Sequence, residues 1–320
     1  MLMNVLTYAA LVHESVLDPA GTHARTIAGL WSVFLWVTAA IYVLVMVALV
    51  IALMRRGKHD AAETPRGTYA AVWVAGAASV MVLFALLTAS ILTGRAVAEE
   101  RSEPLRITLT GRQWWWQIDY EDADPSRRIT SANEITVPVG VPVTIHLHSS
   151  DVIHSFWVPS LNGKRDLIPG HDGTITILAE RAGLFRGQCA EFCGVQHAKM
   201  ALWVNAVEPA IYARWVEGSR KTARTPSTPS EIAGLQVFLR SPCPLCHTIQ
   251  GTDASGSTAP DLTHLASRRS LGADSLPNTR AALTGWIRDA QQAKPGCQMP
   301  AIDLRSEELN ALVDYLGSLQ

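Results

Sequence analysis

The first 188 residues of this 320-residue chain contain no cysteine, and beyond residue 100 there are only two methionines, Met200 and Met299. No charged side chain occurs between Thr26 and Met54 or between Gly67 and Gly94. Nor is there an excess of basic residues: 27 Lys and Arg face 28 Asp and Glu, for a net charge of −1. Each absence excludes something. A near-neutral chain lacks the basic field that nucleic-acid binding requires, so nucleic acid is dropped as a partner. Disulfide scaffolds spread their cysteines along a short chain. Here four of the five fall in two tight pairs, Cys189 with Cys193 and Cys243 with Cys246, and Cys297 is left over. Close pairs with histidines nearby point to metal or haem attachment instead.

The two uncharged runs each exceed the ~20 apolar residues needed to cross ~30 Å of hydrocarbon, which predicts transmembrane helices over 26–54 and 67–94. Buried helices of soluble proteins seldom stay free of charge for so long. The intervening loop carries Arg55, Arg56, Lys58 and Arg66, which places it in the cytoplasm and both chain ends outside. Residues 1–25 then form an external N-terminal segment. Its apolar start lacks the basic residues of a signal peptide.

The length leaves room for two further domains. From Leu105 to about Val207, strand-like runs alternate with Gly, Pro, Asn and Asp, which predicts an all-β sandwich or barrel within 95–218. In Pro142 to His148, Val143, Ile145 and Leu147 alternate with Thr144, His146 and His148, so both histidines are assigned to the outer face. Residues 219–230, polar and broken by Pro226 and Pro229, read as an extended linker. A small helical domain follows over 231–320. Its predicted helices are Glu231 to Arg240 and Glu307 to Leu319, the second with Ser306 as N-cap and an apolar stripe of Leu309, Leu312, Val313, Leu316 and Leu319.

The segment Cys189-Ala-Glu-Phe-Cys193-Gly-Val-Gln-His197-Ala-Lys-Met200 places two thiols, an imidazole and a thioether within twelve residues. That donor set suits copper, whereas magnesium or calcium would demand oxygen. Cysteines four apart could bridge two metal ions, each needing a terminal ligand. His197 is one, and His154 in Asp151-Val-Ile-His-Ser-Phe-Trp157 is chosen as the other. A Cys189–Cys193 disulfide is the competing reading, but it leaves His197 and Met200 without a purpose.

Cys243-Pro-Leu-Cys246-His247 is C-x-x-C-H, the attachment signature of haem c, with two thioether bonds and a histidine on iron. Ala259-Pro-Asp-Leu262 and Cys297-Gln-Met-Pro300 follow it. Met299 is assigned as the sixth ligand, with His264 as the substitute. Cys297 is assigned only a packing role.

The C-x-E-x-C-x-x-x-H-x-x-M pattern, the upstream DVIHSFWVPSLNGKRDLIPG and the GRQWWW that follows two membrane helices together resemble subunit II of haem-copper cytochrome c oxidases. From about residue 231 the tail is similar to class I cytochromes c. The resemblance implies a transmembrane hairpin, a cupredoxin-like Greek-key barrel housing the dinuclear CuA copper centre, and an all-α cytochrome c domain. It implies that Cys189 and Cys193 bridge two coppers, with His154 and Met200 on one and His197 and the Glu191 carbonyl on the other. By the same resemblance the Glu191 carboxylate reaches a magnesium ion at the boundary with subunit I, and Trp114 is the residue through which electrons enter. Gly234 and Phe238 are expected to pack on the Tyr315 to Leu316 region.

The implied activity is that of a respiratory cytochrome c oxidase subunit, passing electrons from haem c to CuA and on to subunit I for oxygen reduction coupled to proton pumping. Subunit I, subunit III, membrane lipid, and a cytochrome c or quinol:cytochrome c reductase as donor are the implied partners. Haem c is attached outside the cytoplasm in bacteria, so the cofactor domains belong on the outer face of the bacterial inner membrane. A subunit of a nitric oxide reductase and a copper-delivery factor are the alternatives. A quinol oxidase subunit of the same fold is disfavoured, since that branch lacks the metal ligands.

Overall fold

The computed structural model describes residues 12–55, 66–98 and 105–320. The apolar residues 1–11, the loop positions Arg56 and Lys58, and residues 99–104 lie outside the described residues. The chain divides into two units: a helical hairpin, and the remaining residues on both sides of it in sequence.

In the hairpin, α1 (Thr22–Arg55) and α2 (Arg66–Ala98) are both long and apolar enough to cross a membrane, and each extends past the uncharged run that predicted it. Their large apolar side chains, among them Trp36, Leu44, Trp73 and Phe84, are exposed, an arrangement that suits lipid rather than water. Four hydroxyls within the spans turn back on their own helix, Ser32 to the Ala28 carbonyl, Thr38 to Phe34, Ser79 to Ala75 and Thr88 to Phe84. Hydrocarbon offers them no other partner.

The β domain packs two sheets over one core. One sheet runs β4-β3-β2-β6-β9, from β2 (Leu105–Arg112), β3 (Trp115–Tyr120), β4 (Ile129–Ala132), β6 (Val143–Ser149) and β9 (Gly173–Ile177). The other runs β5-β11-β10-β7-β8, from β5 (Glu134–Pro138), β7 (His154–Trp157), β8 (Arg165–Leu167), β10 (Gly183–Cys189) and β11 (Ala201–Val207). Alternation buries Ile107, Leu109, Ile118, Ile145, Leu147, Phe156 and Phe185 between them, with Trp116 fully enclosed. His146 and His148 point away from this core, as the period of two requires, and His148 meets Asp172 at 3.0 Å.

Two features escaped the sequence reading. The described part of the N-terminal segment, residues 12–21, belongs to the β domain: β1 (Val12–His13) pairs parallel with Leu184 and Phe185 of β10. Asp18 meets Arg181 at 2.6 Å, and the Ala20 amide donates to the Ser160 carbonyl at 2.7 Å. The domain also closes with a helix, α3 (Pro209–Ser219), whose Trp215 packs on Tyr120 with ring centroids 5.0 Å apart.

After a stretch without regular structure, the helical domain opens at α4 (Pro229–Arg240), set by a capping box between Thr228 and Glu231. α5 (Arg280–Arg288) and α6 (Ala290–Ala293) precede α7 (Ser306–Leu316). Two predicted details are corrected. The N-cap of α7 is Arg305, whose amide donates to Glu308, and Ser306 is the first helical residue; the helix ends at Leu316, though Leu319 is still buried. α4 and α7 cross where Gly234 sits: a Cβ there would lie 2.0 Å from the Ala311 carbonyl oxygen and 2.7 Å from Tyr315 Cβ. This crossing agrees with the expected packing of Gly234 and Phe238.

Candidate metal centre and haem site

Strand pairing builds the first site. β10 ends at Cys189 and β11 begins at Ala201, and the Cys189 amide donates to the Met200 carbonyl at 2.9 Å, so the intervening loop is closed at its base. β7 pairs with the end of β10, Cys189 opposite Phe156, which sets His154 beside the loop. A short 3-10 turn at His197–Lys199 folds the remaining donors inward.

The result is a compact cluster. Cys189 Sγ and Cys193 Sγ are 3.7 Å apart, far beyond the ~2.05 Å of a disulfide, and both thiols are free. Cys189 Sγ lies 3.9 Å from His154 Nδ1 and 3.2 Å from the Glu191 carbonyl oxygen. Cys193 Sγ lies 3.7 Å from His197 Nδ1 and 3.8 Å from Met200 Sδ. His154, Cys189, Cys193 and Met200 are buried. Among the described residues, His154, Cys189 and Cys193 are the one group of three whose side chains could hold a metal. The Glu191 carboxylate stands apart from it, accepting only the neighbouring Phe192 amide at 3.1 Å.

Two sulfurs this close compete for charge. The first proton leaves easily, with Cys189 brought down to about 3 chiefly by its contact with Cys193, and the second is driven up because the new thiolate lies beside it. A fully deprotonated pair therefore calls for a cation between the sulfurs, and the soft donors around it are those copper prefers. Burial opposes charging of His154, but the Cys189 and Asp151 contacts outweigh it and its pKa rises.

Asp151 is a residue that sequence reasoning quoted without giving it a role. Its Oδ1 is 2.7 Å from His154 Nε2, and its Oδ2 accepts the Gln113 amide at 2.6 Å. With Nε2 held by a carboxylate, the ring presents Nδ1 to the sulfurs. A carboxylate three residues before a candidate ligand histidine was the available signal.

The three tryptophans separate by environment. Trp116 is core, Trp115 lies under the Arg112 guanidinium with 5.7 Å to the ring centroid, and Trp114 donates its indole N–H to the Cys193 carbonyl at 2.9 Å. Trp114 is only 9% exposed.

In the helical domain Cys243 and Cys246 are free and sit at a tight turn where the His247 amide donates to the Cys243 carbonyl at 3.0 Å. His247 Nδ1 is 2.7 Å from the Pro260 carbonyl, which fixes the tautomer and leaves Nε2 for iron. Burial lowers its pKa, holding the neutral ring that can bind metal. Met299 is half-buried, and its carbonyl accepts from Gln291 at 3.0 Å. His264 places Nδ1 3.1 Å from the Gln320 carbonyl, while its Nε2 is buried with no hydrogen-bond partner among the described residues. Two free thiols beside a histidine held neutral, with its Nδ1 tied to a carbonyl, are donors that fit a covalently attached haem.

Comparison with known proteins bears on both halves. The family described as cytochrome c oxidase subunit II, periplasmic domain, matches residues 123–207, and the cytochrome c family matches residues 232–320. Cytochrome c oxidase subunit 2 of Alkalihalophilus pseudofirmus is 34% identical over 318 residues, covering 96% of this chain and 91% of that one. The chain belongs to the cytochrome c oxidase subunit 2 family. The subunit 2 of Bacillus subtilis is 28% identical over 229 residues, 68% of this chain and 63% of its own. A crystal structure of the periplasmic domain of subunit II of a Bradyrhizobium japonicum cytochrome oxidase shares 32% identity over 38% of this chain and 96% of its own, at a TM-score of 0.36. As a subunit 2 with a cytochrome c domain and two membrane-length helices, the protein is a membrane-anchored component of an oxidoreductase that handles copper and haem.

Proposed function

We propose that this chain relays single electrons from a haem c in its helical domain to a dinuclear copper centre in its β domain, and on to subunit I of a respiratory haem-copper oxidase that reduces oxygen to water and pumps protons. The observation that carries this reading is the convergence of two thiols, two imidazoles, a thioether and a backbone carbonyl, each within 3.9 Å of a cysteine sulfur. Cys189 and Cys193 would bridge the metals, and His154, Met200, His197 and the Glu191 carbonyl would complete them. Copper and haem held in these places supply reversible one-electron chemistry.

The protein's own residues hold and insulate. Asp151 orients His154, burial keeps water from the sulfurs, and Pro260 orients His247. Met299 is assigned as the sixth iron ligand. Trp114, bonded to the carbonyl of Cys193, is assigned as the residue through which electrons enter the copper site. The Glu191 carboxylate is offered to a magnesium ion shared with subunit I. The membrane is assigned as the bacterial inner membrane with both cofactor domains on its outer face, subunit III as a further neighbour, and a cytochrome c or quinol:cytochrome c reductase as the donor.

Metal analysis and EPR of the full-length chain test this. Two coppers per haem and a mixed-valence copper signal are expected, whereas one copper or none with both thiols reduced overturns the relay. Met299→Leu should remove the low-spin methionine-ligated haem spectrum and spare the copper signal. If His264→Leu does this instead, the ligand assignment passes to His264.

A further inference from the structure

Lys294 is a charged side chain with a burial that its sequence context gives no reason for. It follows α6 in the helical domain, is 2% exposed, and donates three hydrogen bonds to backbone carbonyls. One acceptor is in its own domain, Gly272 at 2.8 Å, and two are in the β domain: Trp114 at 2.7 Å and Lys199 at 2.6 Å. Those two residues flank the copper site, since Trp114 bonds Cys193 and Lys199 precedes Met200. An ammonium has three donors and fills this cage completely, whereas the flat guanidinium fork of arginine cannot converge on it.

The surroundings show that the contact is built rather than incidental. Glu134 of the β domain reciprocates, its carboxylate accepting the Arg269 and Ser270 amides at 2.6 and 3.3 Å. Between the two anchors runs Gly272-Ala273-Asp274, three consecutive residues with φ of 61°, 58° and 65°. Non-glycine residues persist in that region only where their surroundings hold them there. Here the β domain does the holding: the Ala201 amide donates to the Ala273 carbonyl at 3.3 Å, and Asp274 receives Arg186 at 2.9 Å and the Trp203 indole at 3.0 Å. Next to Lys294, Gly296 passes within 3.9 Å of the Trp114 ring, measured from where its Cβ would stand. Trp114 is thus covered by this chain's own helical domain.

We propose that Lys294 is a positioning residue that latches the haem domain onto the Trp114 face of the copper domain, so that the docked geometry it holds sets the rate of electron transfer between the two. This rests on the relay reading above. One electron leaves iron and one enters the copper pair, and Lys294 neither gains nor loses any. A consequence is that an outside donor meets the haem domain and finds Trp114 already occupied.

The test compares the full-length, haem- and copper-loaded chain with its Lys294→Met variant. Methionine keeps the length of the side chain and removes all three donors. Amide hydrogen exchange at Arg269, Ser270 and Ala201, the amides that cross the boundary, should speed up by on the order of tenfold or more, since breaking a buried charge's hydrogen bonds acts mainly on the opening rate. Iron-to-copper equilibration after rapid reduction should slow and become sensitive to viscosity, with both optical spectra unchanged. Unchanged exchange and unchanged equilibration overturn the latch. So does a slowed transfer with a shifted copper spectrum and unchanged exchange, which makes Lys294 part of the copper site instead. If the variant fails to load its cofactors, Glu134→Ala breaks the opposite anchor and must give the same slowing at unchanged spectra, or the latch is wrong. Should the unaltered chain show no iron-to-copper transfer at all, the relay reading itself fails, which is a separate result.

Discussion

The side chains that hold the site are themselves held, and Asp151 shows how. A histidine can offer either ring nitrogen to a metal, and the 2.7 Å contact with Asp151 ties up Nε2 and leaves Nδ1 facing the sulfurs. Replacement by asparagine keeps the size but removes the charge that favours this arrangement. Asp151→Asn is expected to weaken copper binding about 10- to 100-fold, as loss of such an outer partner generally does. Competition with a copper chelator measures it, and affinity within a factor of two of the parent would show that His154 is oriented by packing alone. At this scale the sequence was most informative. Cys189, Cys193, His197 and Met200 lie within one short segment, so their residue types alone pointed to copper. Asp151 and Lys294 were opaque, because a carboxylate or an ammonium has meaning only through what it touches.

Among the elements, α4 and α7 of the helical domain are joined by a polar contact at their exposed edge. The Ser230 hydroxyl donates to Asp314 at 2.5 Å, and Arg280 of α5 pairs with the same carboxylate. The Ser230 hydrogen bond first and Arg280 next hold the Asp314 carboxyl below the ordinary aspartate value. A folded-state pKa below the unfolded one means that the stabilisation is present above the unfolded value of ~3.9 and is lost as pH falls through the folded value. Asp314→Asn should therefore cost the haem domain about 1 kcal/mol at neutral pH. It should cost nothing at a pH where both states are protonated. Denaturant unfolding followed at the haem absorption checks this, and a cost independent of pH would assign the effect to shape rather than charge. The elements were legible where period and capping agreed, as in β6 and α4. They were not where a segment is short or borrows its stability from elsewhere. β1 is two residues long, and α3 is held by Trp215 packing at a tilt against Tyr120, which no local pattern announces.

Across the whole molecule, residues 12–21 belong to the β domain, and the chain then passes through two helices of membrane length and returns to the same domain. An even number of crossings is what allows residues 12–13 to share a sheet with β10. With Arg55, Arg56, Lys58 and Arg66 in the sequence that joins the two helices, a protease tag placed within 56–65 should be protected when protease is added to intact spheroplasts, whose inner-membrane outer face is accessible. A tag after Gln320 should be cleaved. Protection of the C-terminal tag and cleavage of the loop tag would reverse the proposed orientation.

The amino-acid sequence by itself determined the membrane hairpin, the two-domain plan and the two donor sets. Uncharged length, strand alternation, thiol-imidazole-thioether clustering and C-x-x-C-H are each properties of residues near one another in the chain. Only the tertiary structure decided that His154 reaches the sulfurs with a fixed nitrogen, that the N-terminal segment completes a β sheet, and that Lys294 crosses from one domain to cap Trp114 in the other. Those pairings join residues 35, 172 and 180 positions apart. Their energies depend on burial and on hydrogen-bond partners that exist only once the chain has folded.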